Sequence, residues 1–142
     1  SLRVKNIVIE QLRPLNQDPA INWGVKDKSY SYPSGHSAGA TVFAMLLAEL
    51  FPDQKTEILD IGRQTGWHRV QLAMHYPADI HAGRTLAQGI VRRLKTNAAF
   101  QHDFEKVKAE VQLQKNSITR EICHLELQSH GHRRLVPSGN HQ

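Results

Sequence analysis

Along most of the chain, apolar residues recur at three- and four-residue steps, and this helical period outweighs strand-type alternation nearly everywhere. The pattern predicts an all-α protein. Val4, Ile7, Val8 and Leu12 fall on one face of a first helix over Leu2 to Leu12, ending where Pro14 disfavours helical geometry for Arg13. Arg13 is then expected to project from a helix end. Leu15 to Pro33 mixes Asn16, Asp18, Pro19, Asn22, Gly24, Asp27 and Ser29 with little periodicity and reads as a long loop, a length that in compact domains often accompanies function.

From Gly35 to Phe51 nearly every position is apolar or small, which predicts a helix surrounded by others and N-capped by Ser34. Pro52 and Asp53 punctuate it. Ile58, Ile61 and Thr65 begin another stripe running towards Met74, where Tyr76 and Pro77 interrupt. Ile80, Gly83, Leu86, Ala87, Ile90, Val91 and Leu94 then mark an amphipathic helix with Arg84, Arg92, Arg93 and Lys95 largely outside. Phe100, Phe104, Val107 and Val111 suggest one more, followed by a separately capped piece from Ser117 through Leu127. From Ser129 onward the sequence reads as a polar tail. The organisation expected is a single-domain helical bundle over residues 1–115 and a C-terminal extension over 116–142.

Composition narrows the partners. With 142 residues, 39% of them hydrophobic, the chain suits one core. Lys and Arg total 18 against 13 Asp and Glu, a formal charge of +5 that favours anions without choosing among them. The longest apolar run, Ala38 to Leu50 with Glu49 inside it, is too short to cross a bilayer, for which roughly 18–20 residues are needed. One cysteine, Cys123, excludes an intrachain disulfide and a multi-cysteine zinc site. His124, His130, His132 and His141 sit in a tail poor in turn-defining structure, so no metal site is assigned. Arg92, Arg93 and Lys95, with Arg133 and Arg134, have no interleaved aromatics and read as a solvated face, so no nucleic acid is expected.

Candidate chemistry lies in three segments: Arg13-Pro14; Pro33-Ser34-Gly35-His36-Ser37; and Arg69, followed after five residues by His75 and after three more by Asp79. Their order and combination resemble the three-part signature of the phosphatidic acid phosphatase type 2 superfamily, which includes vanadium haloperoxidases and bacterial acid phosphatases. Tyr32-Pro33-Ser34-Gly35-His36-Ser37, Leu46-Leu47-Ala48-Glu49 and Thr96-Asn97-Ala98-Ala99-Phe100-Gln101 are most similar to the class A bacterial non-specific acid phosphatases. The likeness covers about Val4 to Val111. It implies an all-α fold, further helices before the first motif that this chain would lack, and a periplasmic or secreted protein.

The resemblance implies an acid phosphatase that cleaves small phosphate monoesters without cofactor or metal. Its residues suit that chemistry. Phosphoryl transfer requires a dianion to be held in line and its oxygens neutralised, a task for the guanidinium forks of Arg13 and Arg69. Ser34 and Gly35 stand at a predicted helix N-terminus, where unpaired N–H groups attract anions. His75 and Asp79, four residues apart, share a face, so the carboxylate can accept Nδ1–H and leave Nε2 as nucleophile. His36 is the proton donor to the leaving group. The family's lysine, seven residues before its arginine, falls here on Asn6, with Lys5 one place earlier, and His68 replaces the usual serine before Arg69. Alternative readings are a vanadate-dependent haloperoxidase or a catalytically weakened phosphate-binding remnant. Homo-oligomerisation is compatible with either.

Overall fold

The computed structural model describes residues 10–21 and 27–131, with side chains to 122. Among these the regular structure is helical: α1 (Pro14–Gln17), α2 (Gly35–Leu50), a 3₁₀ turn (Pro52–Gln54), α3 (Lys55–Gln71), α4 (Pro77–Lys95) and α5 (Ala98–Gly131). Two compact units divide between Gln101 and His102. The first holds α1 to α4, and every candidate site residue with described coordinates lies in it.

Local chemistry sets the helix ends. Ser34 has extended backbone angles, and its Oγ accepts from Ser37 N–H at 3.2 Å, the N-cap that the sequence predicts for α2. Pro52 follows the C-cap Phe51. Helix α3 ends in a Schellman turn, in which Ala73 N–H donates to Val70 O at 2.9 Å and Met74 N–H to Arg69 O at 3.0 Å. Its pivot, Ala73, has φ 52°, a left-handed conformation that costs a residue with a Cβ roughly 1–2 kcal/mol. In α4, Pro77 occupies the first turn and Asp79 Oδ2 accepts from Tyr76 N–H at 2.9 Å, half of a capping box. Asn97 Oδ1 accepts from Phe100 N–H at 3.0 Å at the start of α5.

Helix α2 is the axis of the first unit: α3 and α4 both pack along it while barely touching each other. Close approach is the reason small residues recur at the crossings. A Cβ on Gly62 would lie 2.6 Å from Ala44 Cβ, and one on Gly83 would lie 2.5 Å from Ser34 O. Neither fits without moving a helix. The contacts bring the start of α2, the end of α3 and the start of α4 to one end of the unit, where Arg13, N-capping α1, joins them.

Several expectations change. The first predicted helix falls mostly outside the described residues, and Glu10, Gln11 and Leu12 are not helical. Arg13 is 4% exposed rather than projecting, because acceptors distant in sequence surround it. The predicted loop from Leu15 begins inside α1. Helix α2 is not enclosed: Ser37, Ala38, Ala44 and Ala48 are buried, but Phe43 is 69% and Leu47 41% exposed. No separate capped piece starts at Ser117, since α5 continues through it to Gly131 without an internal Gly or Pro to stop it. No described helix is long and apolar enough to cross a membrane.

Candidate active site

The turn between α3 and α4 delivers His75. Its N–H donates to Arg69 O at 3.3 Å, and its side chain, 1% exposed, sits between Arg13 and Asp79. Arg13 Nη1 donates to His75 Nε2 at 3.0 Å. A guanidinium has donors only, so Nε2 presents its lone pair and the ring hydrogen resides on Nδ1. On that side Asp79 Oδ2 lies 3.5 Å away and Ser31 Oγ 3.3 Å away. The tautomer expected from the four-residue spacing of His75 and Asp79 therefore follows from the Arg13 contact.

Arg13 is fully engaged. Nε donates to Ser29 O at 3.2 Å, Nη1 also to Met74 O at 2.7 Å, and Nη2 to Ser29 Oγ at 2.8 Å and Asp27 Oδ2 at 2.9 Å. With the contact to His75, all five guanidinium N–H groups are used. Burial lowers its pKa, and the like charge of Arg69 lowers it further, while Asp27 and Asp79 oppose both. The guanidinium nevertheless stays charged, as arginine does in proteins.

Asp79 is completely buried at the first turn of α4, where the helix dipole favours a carboxylate. Its Oδ2 accepts from Tyr76 N–H and from the Ser31 hydroxyl, while its backbone O accepts from Ser34 N–H at 3.0 Å. Ser37 Oγ adds a second tie between α2 and α4, donating to Ile80 O at 2.9 Å. The start of α2 is thus bolted to the residues beside the imidazole. Ser34 is buried beneath that helix start, Gly35 is its first residue, and His36 stands exposed on its first turn.

Arg69, half-buried in the last turn of α3, keeps a buried Nε with no acceptor among the described residues. His68 beside it is exposed. Lys5 and Asn6 lie outside the described residues. Sequence reasoning missed Asp27, Ser29 and Ser31. The run Ser29-Tyr30-Ser31-Tyr32 leads into the cis Tyr32–Pro33 peptide, and Ser31 N–H donates to Gln11 O at 2.7 Å.

An imidazole whose Nε2 accepts from a buried guanidinium, a second arginine with a buried Nε that has no acceptor among the described residues, and a helix N-terminus are groups of the kind that bind an anion. The comparisons agree with that class. The family model of the PAP2 superfamily matches residues 5–99, and the chain belongs to this superfamily. It is 39% identical over 83 residues to a non-specific acid phosphatase of Providencia stuartii, covering 58% of this chain and 34% of the relative. It is 36% identical over 94 residues to a non-specific acid phosphatase of Salmonella typhimurium, covering 66% and 38%. A lipid A 1-phosphatase of Rhizobium etli is 38% identical over 53 residues, 37% of this chain and 23% of the relative. The chain spans about a third of the length of the acid phosphatases it matches.

Proposed function

We propose that the chain carries the phosphate-handling core of an acid phosphatase, periplasmic or secreted, that hydrolyses phosphate monoesters through a phosphohistidine. The observation that carries this reading is the His75 ring, with Arg13 Nη1 at Nε2 and Asp79 on the Nδ1 side. Nε2 is then a nucleophile with its lone pair directed towards Arg13. The named acid phosphatases among its relatives support the reaction class.

His75 Nε2 forms a bond to phosphorus as the ester P–O bond breaks, and His36 gives its proton to the departing oxygen. Water then attacks phosphorus and yields a proton to His36. The P–N bond breaks, and inorganic phosphate leaves. Arg13 Nη1 exchanges its contact with Nε2 for a phosphate oxygen as phosphorus takes the lone pair. Arg69 Nε, lacking a protein acceptor among the described residues, supplies a further donor. At the N-terminus of α2 the Ser34 N–H is taken by Asp79 O, so the Ser34 hydroxyl, the Gly35 N–H and the helix dipole complete the anion site. The guanidiniums provide the charge that a divalent metal provides elsewhere, so turnover should survive EDTA.

The test is hydrolysis of p-nitrophenyl phosphate with acid-labile phosphoenzyme trapped by rapid quench, in wild type and His75→Ala. Turnover should fall on the order of a thousandfold or more in the variant, with labelling abolished. It should also decline in wild type as rising pH strips His36 of its proton. Equal labelling of the two proteins would remove His75 from the role of nucleophile.

A further inference from the structure

We propose that Ser31 is a positioning residue for His75: its hydroxyl bridges the imidazole to the Asp79 carboxylate and holds the ring in the tautomer with hydrogen on Nδ1. The inference rests on the reading of His75 as nucleophile and assigns a member of its hydrogen-bond chain outside the three-part signature.

Ser31 is 0% exposed, and Tyr32, Pro33 and the N-cap Ser34 separate it from the first residue of α2. Its backbone N–H donates to Gln11 O at 2.7 Å, which fixes its place in the chain independently of its side chain. The Oγ contacts both Asp79 Oδ2 and His75 Nδ1, the latter at 3.3 Å. A carboxylate only accepts, so the Ser31 hydrogen goes to Asp79, and the Oγ lone pairs are left to receive Nδ1–H. Both separations from Nδ1 are longer than the 2.7–3.2 Å usual for an N–H···O bond, but Ser31 Oγ at 3.3 Å is nearer than Asp79 Oδ2 at 3.5 Å. Oδ2 also accepts from Tyr76 N–H at 2.9 Å. The carboxylate is therefore held by the helix start and reaches the ring best through the hydroxyl.

The contact matters most when the ring is electron-poor. As Nε2 bonds to phosphorus, positive charge develops on the imidazole and Nδ1–H becomes a stronger donor. Ser31 Oγ, polarised by Asp79, stabilises that charge without itself losing a proton to the ring. The same hydrogen keeps the phosphorylated imidazole a good leaving group when water attacks. Removal of the hydroxyl should thus slow phosphorylation and hydrolysis while leaving the grip on phosphate to Arg13, Arg69 and α2.

The experiment compares wild type with Ser31→Ala by steady-state hydrolysis of p-nitrophenyl phosphate, competitive inhibition by inorganic phosphate, and ¹⁵N NMR of the His75 ring. For metal-bound histidines, loss of the partner that orients the ring typically costs about 10–100-fold, and the same scale is taken for His75. We expect that fall in kcat, with KM and the phosphate inhibition constant within about twofold, and a His75 spectrum shifted away from the Nδ1–H tautomer. A kcat within about twofold of wild type overturns the proposal, because Asp79 then serves the ring directly. Loss of phosphate affinity in parallel with kcat overturns it in favour of a structural role. Were wild type inactive, the enzymatic reading would fail, and the spectrum would decide for Ser31: an unchanged tautomer and titration overturn it, and a shift upholds it.

Discussion

The two faces of α2 differ in the size of their side chains and serve opposite ends. The inner face presents Ser37, Ala38, Ala44 and Ala48, all buried, whereas the outer face exposes Phe43 and Leu47. Hydrophobicity alone would bury the larger side chains first. Close approach decides instead, because small side chains let α3 and α4 settle against α2, and that contact aligns Ser34, Arg69 and Asp79 at one end. Accuracy at the site is thus a property of the smallest residues in the unit.

The contrast can be broken or sharpened by substitution. The largest effect is expected within the site itself: Arg13→Lys keeps the charge but loses the fork that meets Ser29, Asp27, Met74 and His75. It should lower kcat/KM about a hundredfold, measured by p-nitrophenyl phosphate hydrolysis. Next comes the inner contact. Gly83→Ala places a Cβ against Ser34 O and should cost about 1–3 kcal/mol in urea unfolding, with activity falling alongside as the start of α2 is displaced. In the α3–α4 turn the sign reverses: Ala73→Gly relieves the positive φ and should raise unfolding stability by about 1 kcal/mol. Smallest is the outer face, where Phe43→Ser should change stability by less than about 0.5 kcal/mol and leave turnover intact. A large loss there would erase the distinction between the faces.

Much of this was readable in the sequence, because it depends on neighbours in the chain. Ser34 as a cap, Pro52 and Pro77 as boundaries, and the stripe through Ile80, Gly83, Ala87 and Val91 are local signals, and the structure repeats them, although Leu86 and Ile90 of the same stripe are exposed. Ser31 was not readable, since its significance lies in side chains 44 and 48 residues away. Arg13 was misjudged for the same reason: its acceptors at Met74 and His75 are 61 and 62 residues distant. The exposure of Phe43 was hidden for another. An apolar pattern marks a surface suited to burial but does not state what lies against it.

The Schellman turn at the end of α3 also explains a spacing. Arg69 O receives the backbone N–H groups of both Met74 and His75, so the residue that carries the guanidinium and the residue that carries the imidazole are joined through one carbonyl. The five residues between them are the length that this helix terminator occupies. An added residue would swing His75 about the helix end and away from Arg13. Between Gly35 and Arg69, by contrast, α2 and α3 form a hairpin whose far end can be extended by matched turns without disturbing the near one. The signature is rigid where a single peptide group acts as the gauge and elastic where two helices merely lie side by side.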